Sequence, residues 1–304
     1  MRFTIYQESR RGGRSNNEDR LAHCYSRDAL LLIVADGMGG HYFGEIASQI
    51  AVQTFVDAFK KEAQPRVSEP FAFLHARALD AHDAILEYAR KQRFPDAPRT
   101  TLVACLVQDG VAHWAHAGDS RLYLIRDGEI AARTRDHSIV QRMLDEGRIT
   151  PNEAKRHPDR NRIYSCLGGP QKPELDFSHK TPLQIGDVLA LCTDGVWGPL
   201  PNDVMIAQAL EDKNLIQAVP RFMDRLERIC GAQSDNLSLV AVRWEENYAD
   251  FDTSSVSTQD MSVTEIATCV EPFSKPPRAE LSDDEIERAI EEIRAAIDKY
   301  VPGR

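Results

Sequence analysis

The chain has no hydrophobic run long enough to cross a bilayer. Its longest apolar stretch, Ala29 to Ala35, falls far short of the roughly 20 residues a spanning helix needs. The N-terminal MRFTIYQESRRGGRS has basic residues but no apolar core after them, so a secretory leader is not expected. Cysteine is sparse and scattered: Cys24, Cys105, Cys166, Cys192, Cys230 and Cys269 include no C-x-x-C pair. They read as reduced thiols of a cytosolic protein, several of them small core residues on apolar strands. Positive charge is in deficit, 37 Lys and Arg against 47 Asp and Glu for a net charge of −10. Nucleic acid is therefore not expected as a partner. G-x-x-x-x-G-K-[ST], H-E-x-x-H and G-x-S-x-G are all missing, which excludes a P-loop enzyme and gives no support to a zincin or a serine-elbow hydrolase.

What is present is a sizeable core: 304 residues, 42% hydrophobic and 28% charged, suit one large domain with an appendage, or two domains. Leu30–Ala35 is a continuous apolar run closed by Asp-Gly, the pattern of a buried strand. Ile46–Phe59 and Phe71–Tyr88 have helical spacing. Thr101–Val107 and Val111–Ala117 flank Asp109-Gly110, and Arg121–Arg126 and Glu129–Arg133 flank Asp127-Gly128. Both read as hairpins of one mostly antiparallel meander. Residues 137–165 are rich in Arg and Lys. They hold a short helix ended by Gly147 and a second helix start at Thr150-Pro151-Asn152-Glu153. Strands return at Val188–Cys192 and Leu237–Trp244, with helices near Asp203–Leu210 and Ile216–Cys230. From about Glu245 the composition turns polar, acidic and Ser/Thr-rich, as in a linker. After Pro276-Pro277 an amphipathic helix is expected. Ser282 and Glu285 form a capping box, and Ile286, Ile290, Ile293, Ile297 and Val301 make one stripe.

The aspartates share a placement. Asp36 closes an apolar strand ahead of Gly37. Glu18 and Asp19 precede the strand Leu21–Tyr25, Asp119 lies between two strands, Asp194 ends another before Gly195, and Asp235 precedes the last. One such residue is a turn aspartate. Together, at strand ends and without a Cys or His ligand motif, they form an oxygen donor set that selects hard cations such as Mg²⁺ or Mn²⁺. Asp36 with the Gly37 carbonyl suits a bridging position, because glycine lets the backbone approach an ion.

The ordered set RSNNED, DGMGGH, GDSR, TDG and SDN resembles the metal-dependent serine/threonine phosphatases of the PP2C (PPM) family in their compact bacterial form, over about residues 3–245. The resemblance implies an α+β fold, a four-layer αββα sandwich of two mainly antiparallel sheets flanked by helices, with a C-terminal extension. It implies a catalytic domain at 1–245, a polar acidic linker at 246–280 and the amphipathic helix at 281–304. It implies two Mn²⁺ or Mg²⁺ ions and a looser third. Asp36 would bridge the two; Asp194 and Asp235 would complete the first; the Gly37 carbonyl would serve the second. Glu18 and Asp19 would hold the second directly or through water, their relative weight left open, and Asp119 with Asp194 would hold the third. Arg14 would clamp the phosphate and His41 would be the general acid.

The implied activity is hydrolysis of phosphoserine and phosphothreonine in cytoplasmic proteins, reversing a bacterial Ser/Thr kinase. No cysteine has Arg six positions on, so a C-x₅-R phosphatase is excluded. An inactive phosphoprotein-binding scaffold and a small-molecule phosphomonoesterase are the rival readings. Within the chain, His113 and His116 read as structural strand residues, while His137 could face substrate. The basic segment 137–165 is either a solvated pair of surface helices or a lid matching the flap of bacterial relatives. The isoleucine stripe docks on the catalytic domain, binds a partner or pairs with a second copy.

Overall fold

The run from Leu30 onward forms a strand with both faces covered, and that fact organises the molecule. The computed structural model describes residues 1–38, 43–212, 214–245, 255–259 and 261–270. One sheet runs in the order β13 (Ser255–Ser257), β1 (Arg2–Arg10), β12 (Leu237–Trp244), β11 (Val188–Cys192), β7 (Arg121–Arg126), β8 (Glu129–Arg133). The other runs β10 (Thr181–Pro182), β6 (Val111–Ala117), β5 (Leu102–Gln108), β3 (Ala29–Met38), β2 (Asp19–Tyr25), β14 (Ala267–Val270). The short strands β4 (Arg99–Thr100) and β9 (Asp176–Phe177) pair with β3 and β6. Every pairing among the described residues is antiparallel.

Side-chain parity assigns the layers. On β3, Leu31, Ile33 and Ala35 pack with α1 (Gly44–Glu62) and α2 (Pro70–Gln92), through Phe55, Phe59 and Leu74. Leu30, Leu32 and Val34 point the other way, onto Leu189, Leu191, Val240 and Val242 of the opposite sheet. That second sheet alternates likewise. Ala190, Cys192, Leu239 and Ala241 face α6 (Val204–Ala209) and α7 (Leu215–Cys230), whose Phe222 and Leu226 close a third core. Helices, sheet, sheet, helices is the four-layer sandwich expected. Strands covered on both sides read as continuous apolar runs because successive side chains enter different cores.

Two features differ from expectation. The two Asp-Gly hairpins are formed, with Asp109, Gly110, Asp127 and Gly128 all at positive φ, the geometry of a tight turn between twisted strands. They do not share one meander, however: β5–β6 lies in one sheet and β7–β8 in the other, the chain crossing over at Gly118-Asp119-Ser120. Within 246–280, expected to be a linker, the described residues supply edge strands to both sheets. β13 pairs with Arg2–Thr4 and β14 with Ala22–Tyr25, because an unpaired strand edge leaves backbone groups that even a polar, Ser/Thr-rich segment can satisfy. Residues 1–271 accordingly form one compact unit. The helix expected at 281–304 lies outside the described residues. All six cysteines are free thiols; Cys24, Cys105 and Cys192 are buried on strands while Cys269 is exposed on β14.

The segment after β8 holds α3 (Ile139–Asp145) and α4 (Pro151–Ala154), the latter with the Thr150–Glu153 capping box formed. Its base is drawn together by Tyr164 N–H donating to the His137 carbonyl at 2.8 Å and Ile139 N–H to the Arg162 carbonyl at 2.9 Å. α3 buries no residue, so little apolar packing restrains it. Among the described residues no helix is long and apolar enough to cross a membrane.

Candidate metal centre

Parity also delivers the site. Asp36 follows Leu32 and Val34 on the inter-sheet side of β3, and Asp19 stands opposite it on β2. Directly opposed residues of an antiparallel pair project from the same face, so both carboxyls enter the end of the gap between the sheets. From the other sheet, Thr193 continues the inter-sheet parity of Leu189 and Leu191, and its hydroxyl donates to Asp19 Oδ2 at 2.8 Å. Ser238 N–H donates to the Thr193 oxygen at 3.2 Å, so this threonine ties the two sheets together beneath the acids. Asp194, next in sequence, opens the one-turn helix α5 (Asp194–Trp197) and lies close enough to Asp36 for their charges to interact.

Each remaining acid is pinned by its own loop. Asp235 accepts from Arg14 at 2.6 Å and, through Oδ1, from Asn236 N–H at 2.9 Å. Asn236 in turn holds the loop that carries Glu18: its Oδ1 accepts from Glu18 N–H at 2.8 Å, and its amide donates to the Arg11 and Asn16 carbonyls at 2.8 and 2.9 Å. Asp119 sits at the crossover between sheets, its carbonyl accepting from the Trp197 indole at 3.0 Å. The Arg121 guanidinium lies 3.5 Å over the Trp197 ring and is paired in two bonds with Asp136 at 2.8 and 2.7 Å. The arginine of GDSR is thus committed to holding the loop.

The backbone of Asp36 is equally constrained. Its N–H donates to Thr101 Oγ1 at 2.9 Å, and its carbonyl accepts from the Thr100 hydroxyl at 2.9 Å and Thr101 N–H at 2.8 Å. Gly37 then passes so close to Gly44, the start of α1, that a Cβ on either would collide with the other's backbone. The Glu18 carboxyl lies over Gly44, at a helix N-terminus where negative charge is favoured.

Electrostatically the cluster is only partly compensated. Burial first, then the charges of Asp19, Asp194, Asp119 and Asp235, push Asp36 well above the usual carboxyl range. Burial, and then Asp194 foremost among its neighbours, does the same to Asp119. Asp194 is raised to about 6, by burial and then by Asp235. Asp19 is raised to about 7 by burial, despite the hydrogen bond from Thr193 that favours its charged form. Glu18 is raised by burial and then by Glu45. Against these acids stands the exposed Arg14, its own pKa raised by Asp235. Oxygen donors from five separate loops, mutually repelling and only partly balanced by protein cations, fit divalent hard ions.

The structure therefore brings together Arg14, Glu18, Asp19, Asp36, Gly37, Asp119, Asp194 and Asp235. His41 lies outside the described residues; Phe43, two residues on, caps the N-terminus of α1 at φ 70°. Sequence reasoning missed the supports Thr193, Asn236 and Thr101. Thr193 and Asn236 fall inside the quoted TDG and SDN contexts, and Thr193 has the right strand parity, but only the second sheet shows what each one holds.

The profile for protein phosphatase 2C matches residues 7–242. The serine/threonine protein phosphatase PstP of Mycobacterium tuberculosis is 36% identical over 228 residues, 75% of this chain and 42% of PstP; the chain thus spans less than half the length of that relative. The serine/threonine phosphatase stp of Listeria monocytogenes is 31% identical over 231 residues, 75% of this chain and 90% of stp. A crystal structure of the catalytic domain of PstP in complex with two manganese ions superposes with a TM-score of 0.69 at 32% identity, over 81% of this chain and all of that one. With a profile match over most of its length, relatives above 30% identity and the same two-sheet sandwich, the chain belongs to the protein phosphatase 2C family.

Proposed function

We propose that the chain is a Mn²⁺- or Mg²⁺-dependent protein phosphatase that hydrolyses phosphoserine and phosphothreonine, reversing a bacterial Ser/Thr kinase in the cytoplasm. The observation that carries this reading is the convergence of mutually repelling carboxyls at one end of the inter-sheet gap. That arrangement is costly unless cations occupy it, and PstP's catalytic domain is known with two manganese ions.

Asp36 would help hold both ions, Asp194 and Asp235 would hold the first, the Gly37 carbonyl the second, and Asp119 with Asp194 a looser third. Of the acidic pair, Asp19 faces Asp36 and is held by Thr193, which favours it over Glu18 for contact with the second ion or its waters. Bound ions supply charge neutralisation for the phosphate dianion and lower the pKa of a water. Arg14, exposed at the rim, turns from Asp235 to present its planar fork to two phosphate oxygens. Thr193, Thr101 and Asn236 hold the acids in place so that little reorganisation accompanies reaction. His41 keeps its assignment as proton donor to the leaving oxygen on its place in DGMGGH. The stripe at 281–304 is assigned to a partner or a second copy.

The test uses p-nitrophenyl phosphate and a phosphothreonine peptide. Hydrolysis of both should require added Mn²⁺ or Mg²⁺ and stop with chelator. Turnover in excess EDTA rejects the mechanism; turnover of p-nitrophenyl phosphate with none of the peptide favours a small-molecule phosphomonoesterase.

A further inference from the structure

Behind the crossover loop lies a second group of ligand-type side chains with different chemistry. His116 is the penultimate residue of β6, His137 opens the basic segment, and Asp176 stands on β9 directly opposite His116 in the strand register. One ligand atom from each lies within 4.8 Å of the others. Both imidazoles are buried, at 4% and 2% exposure, and their rings pack 4.7 Å apart.

The tautomer of His116 leaves a lone pair without a donor. His116 Nε2 is 2.7 Å from the Arg135 carbonyl, so it carries the proton and donates, leaving Nδ1 bare. A backbone carbonyl holding the far nitrogen of an imidazole is the usual orienting contact of a metal-binding histidine. His137 is fixed between His116 and the Tyr164 ring, stacked at 5.4 Å, with Nε2 3.2 Å from Asp176 Oδ2. Nδ1 of His116 and Nδ1 of His137 are both buried with no hydrogen-bond partner among the described residues. An unsatisfied buried acceptor is costly, so His116 Nδ1 calls for a partner, while His137 turns Nε2 toward Asp176.

We propose that His116, His137 and Asp176 form a binding site for a borderline transition ion, Zn²⁺ foremost, at the base of segment 138–163 and separate from the carboxylate centre. Two imidazoles and one carboxylate suit zinc, whereas the all-oxygen cluster suits Mg²⁺ or Mn²⁺. Ligand atoms on a tetrahedral ion with bonds near 2.0–2.1 Å stand roughly 3.3 Å apart. The His137–Asp176 edge is already at 3.2 Å, so only His116 has to close in. Asp176, its side chain 60% exposed, leaves an entry path and room for a water as fourth ligand. Occupancy would also brace the loop of Asp119, since His137 N–H donates to the Gly118 carbonyl at 2.8 Å.

The test is a Co²⁺ titration of the full chain held in excess Mn²⁺, read by visible absorption. One equivalent should give the intense bands of tetrahedral Co²⁺, abolished by Zn²⁺. Asp176→Asn, on an exposed strand where folding is not at stake, should weaken Co²⁺ at least about 10-fold, and His137→Gln should do the same. Absence of tetrahedral bands in the wild type overturns the proposal, as does unchanged affinity in Asp176→Asn.

Discussion

Asp194 shows how a buried carboxyl can be costly to the protein that carries it. Burial and then the charge of Asp235 raise its pKa, so without cations its charge is a burden. Asp194→Asn should lower metal-dependent turnover at least about 100-fold, measured with saturating Mn²⁺, while far-UV circular dichroism stays native. The same variant tests the electrostatics. Acids whose folded pKa is raised, to about 6 for Asp194 and about 7 for Asp19 from 3.8, bind protons more tightly folded than unfolded. Their contribution to stability is present below the unfolded value and lost as pH rises through the folded ones. In EDTA, Asp194→Asn should therefore melt above the wild type, by a margin that is small near about pH 4 and grows to its full size by about pH 8. A margin that shrinks as pH rises would contradict this account. Arg14, paired with Asp235 yet 61% exposed, should act mainly on binding: Arg14→Ala is expected to raise KM for p-nitrophenyl phosphate about 10-fold or more, with a smaller change in kcat.

Among the elements, the junction of β3 and α1 sets the tolerance of the site. Gly37 and Gly44 touch backbone to backbone beneath the Glu18 loop. A methyl at Gly37 must displace the start of α1, so Gly37→Ala should cost about 1–3 kcal/mol of stability, read by urea unfolding in EDTA, and should weaken Mn²⁺. Much at this scale was legible beforehand. The apolar runs bounded by acids located β3, β11 and β12, and helical spacing located α1 and α2, because each element's period survives whatever it packs against. The partition of the hairpins was not legible. Leu102–Gln108 and Arg121–Arg126 carry the same kind of apolar pattern, and nothing local says that one joins β3 and the other β11.

At the level of the whole molecule, the chain's later part closes the sandwich. Met1's amino group donates to Thr258 Oγ1 at 2.7 Å, Thr258 in turn donates to the Arg27 carbonyl at 2.7 Å, and β13 and β14 cover an edge of each sheet. These contacts involve the opposite ends of β1 and β2 from Arg10 and Asp19. A chain ending at 245 should therefore melt several degrees below one ending at 270, with kcat on p-nitrophenyl phosphate within about twofold. Equal melting temperatures would show the edge strands to be energetically idle.

The sequence by itself determined the alternation of strands and helices, the oxygen chemistry of the candidate ligands and the position of each acid at a strand end, because period and turn chemistry are local properties. Only the tertiary structure decided that those ends meet at one mouth of the gap between two sheets, with Thr193 and Asn236 as braces and a polar tail segment taken up as edge strands. Meeting depends on sheet order and register, and these are set by contacts between residues as far apart as Arg14 and Asp235, where no local pattern reaches.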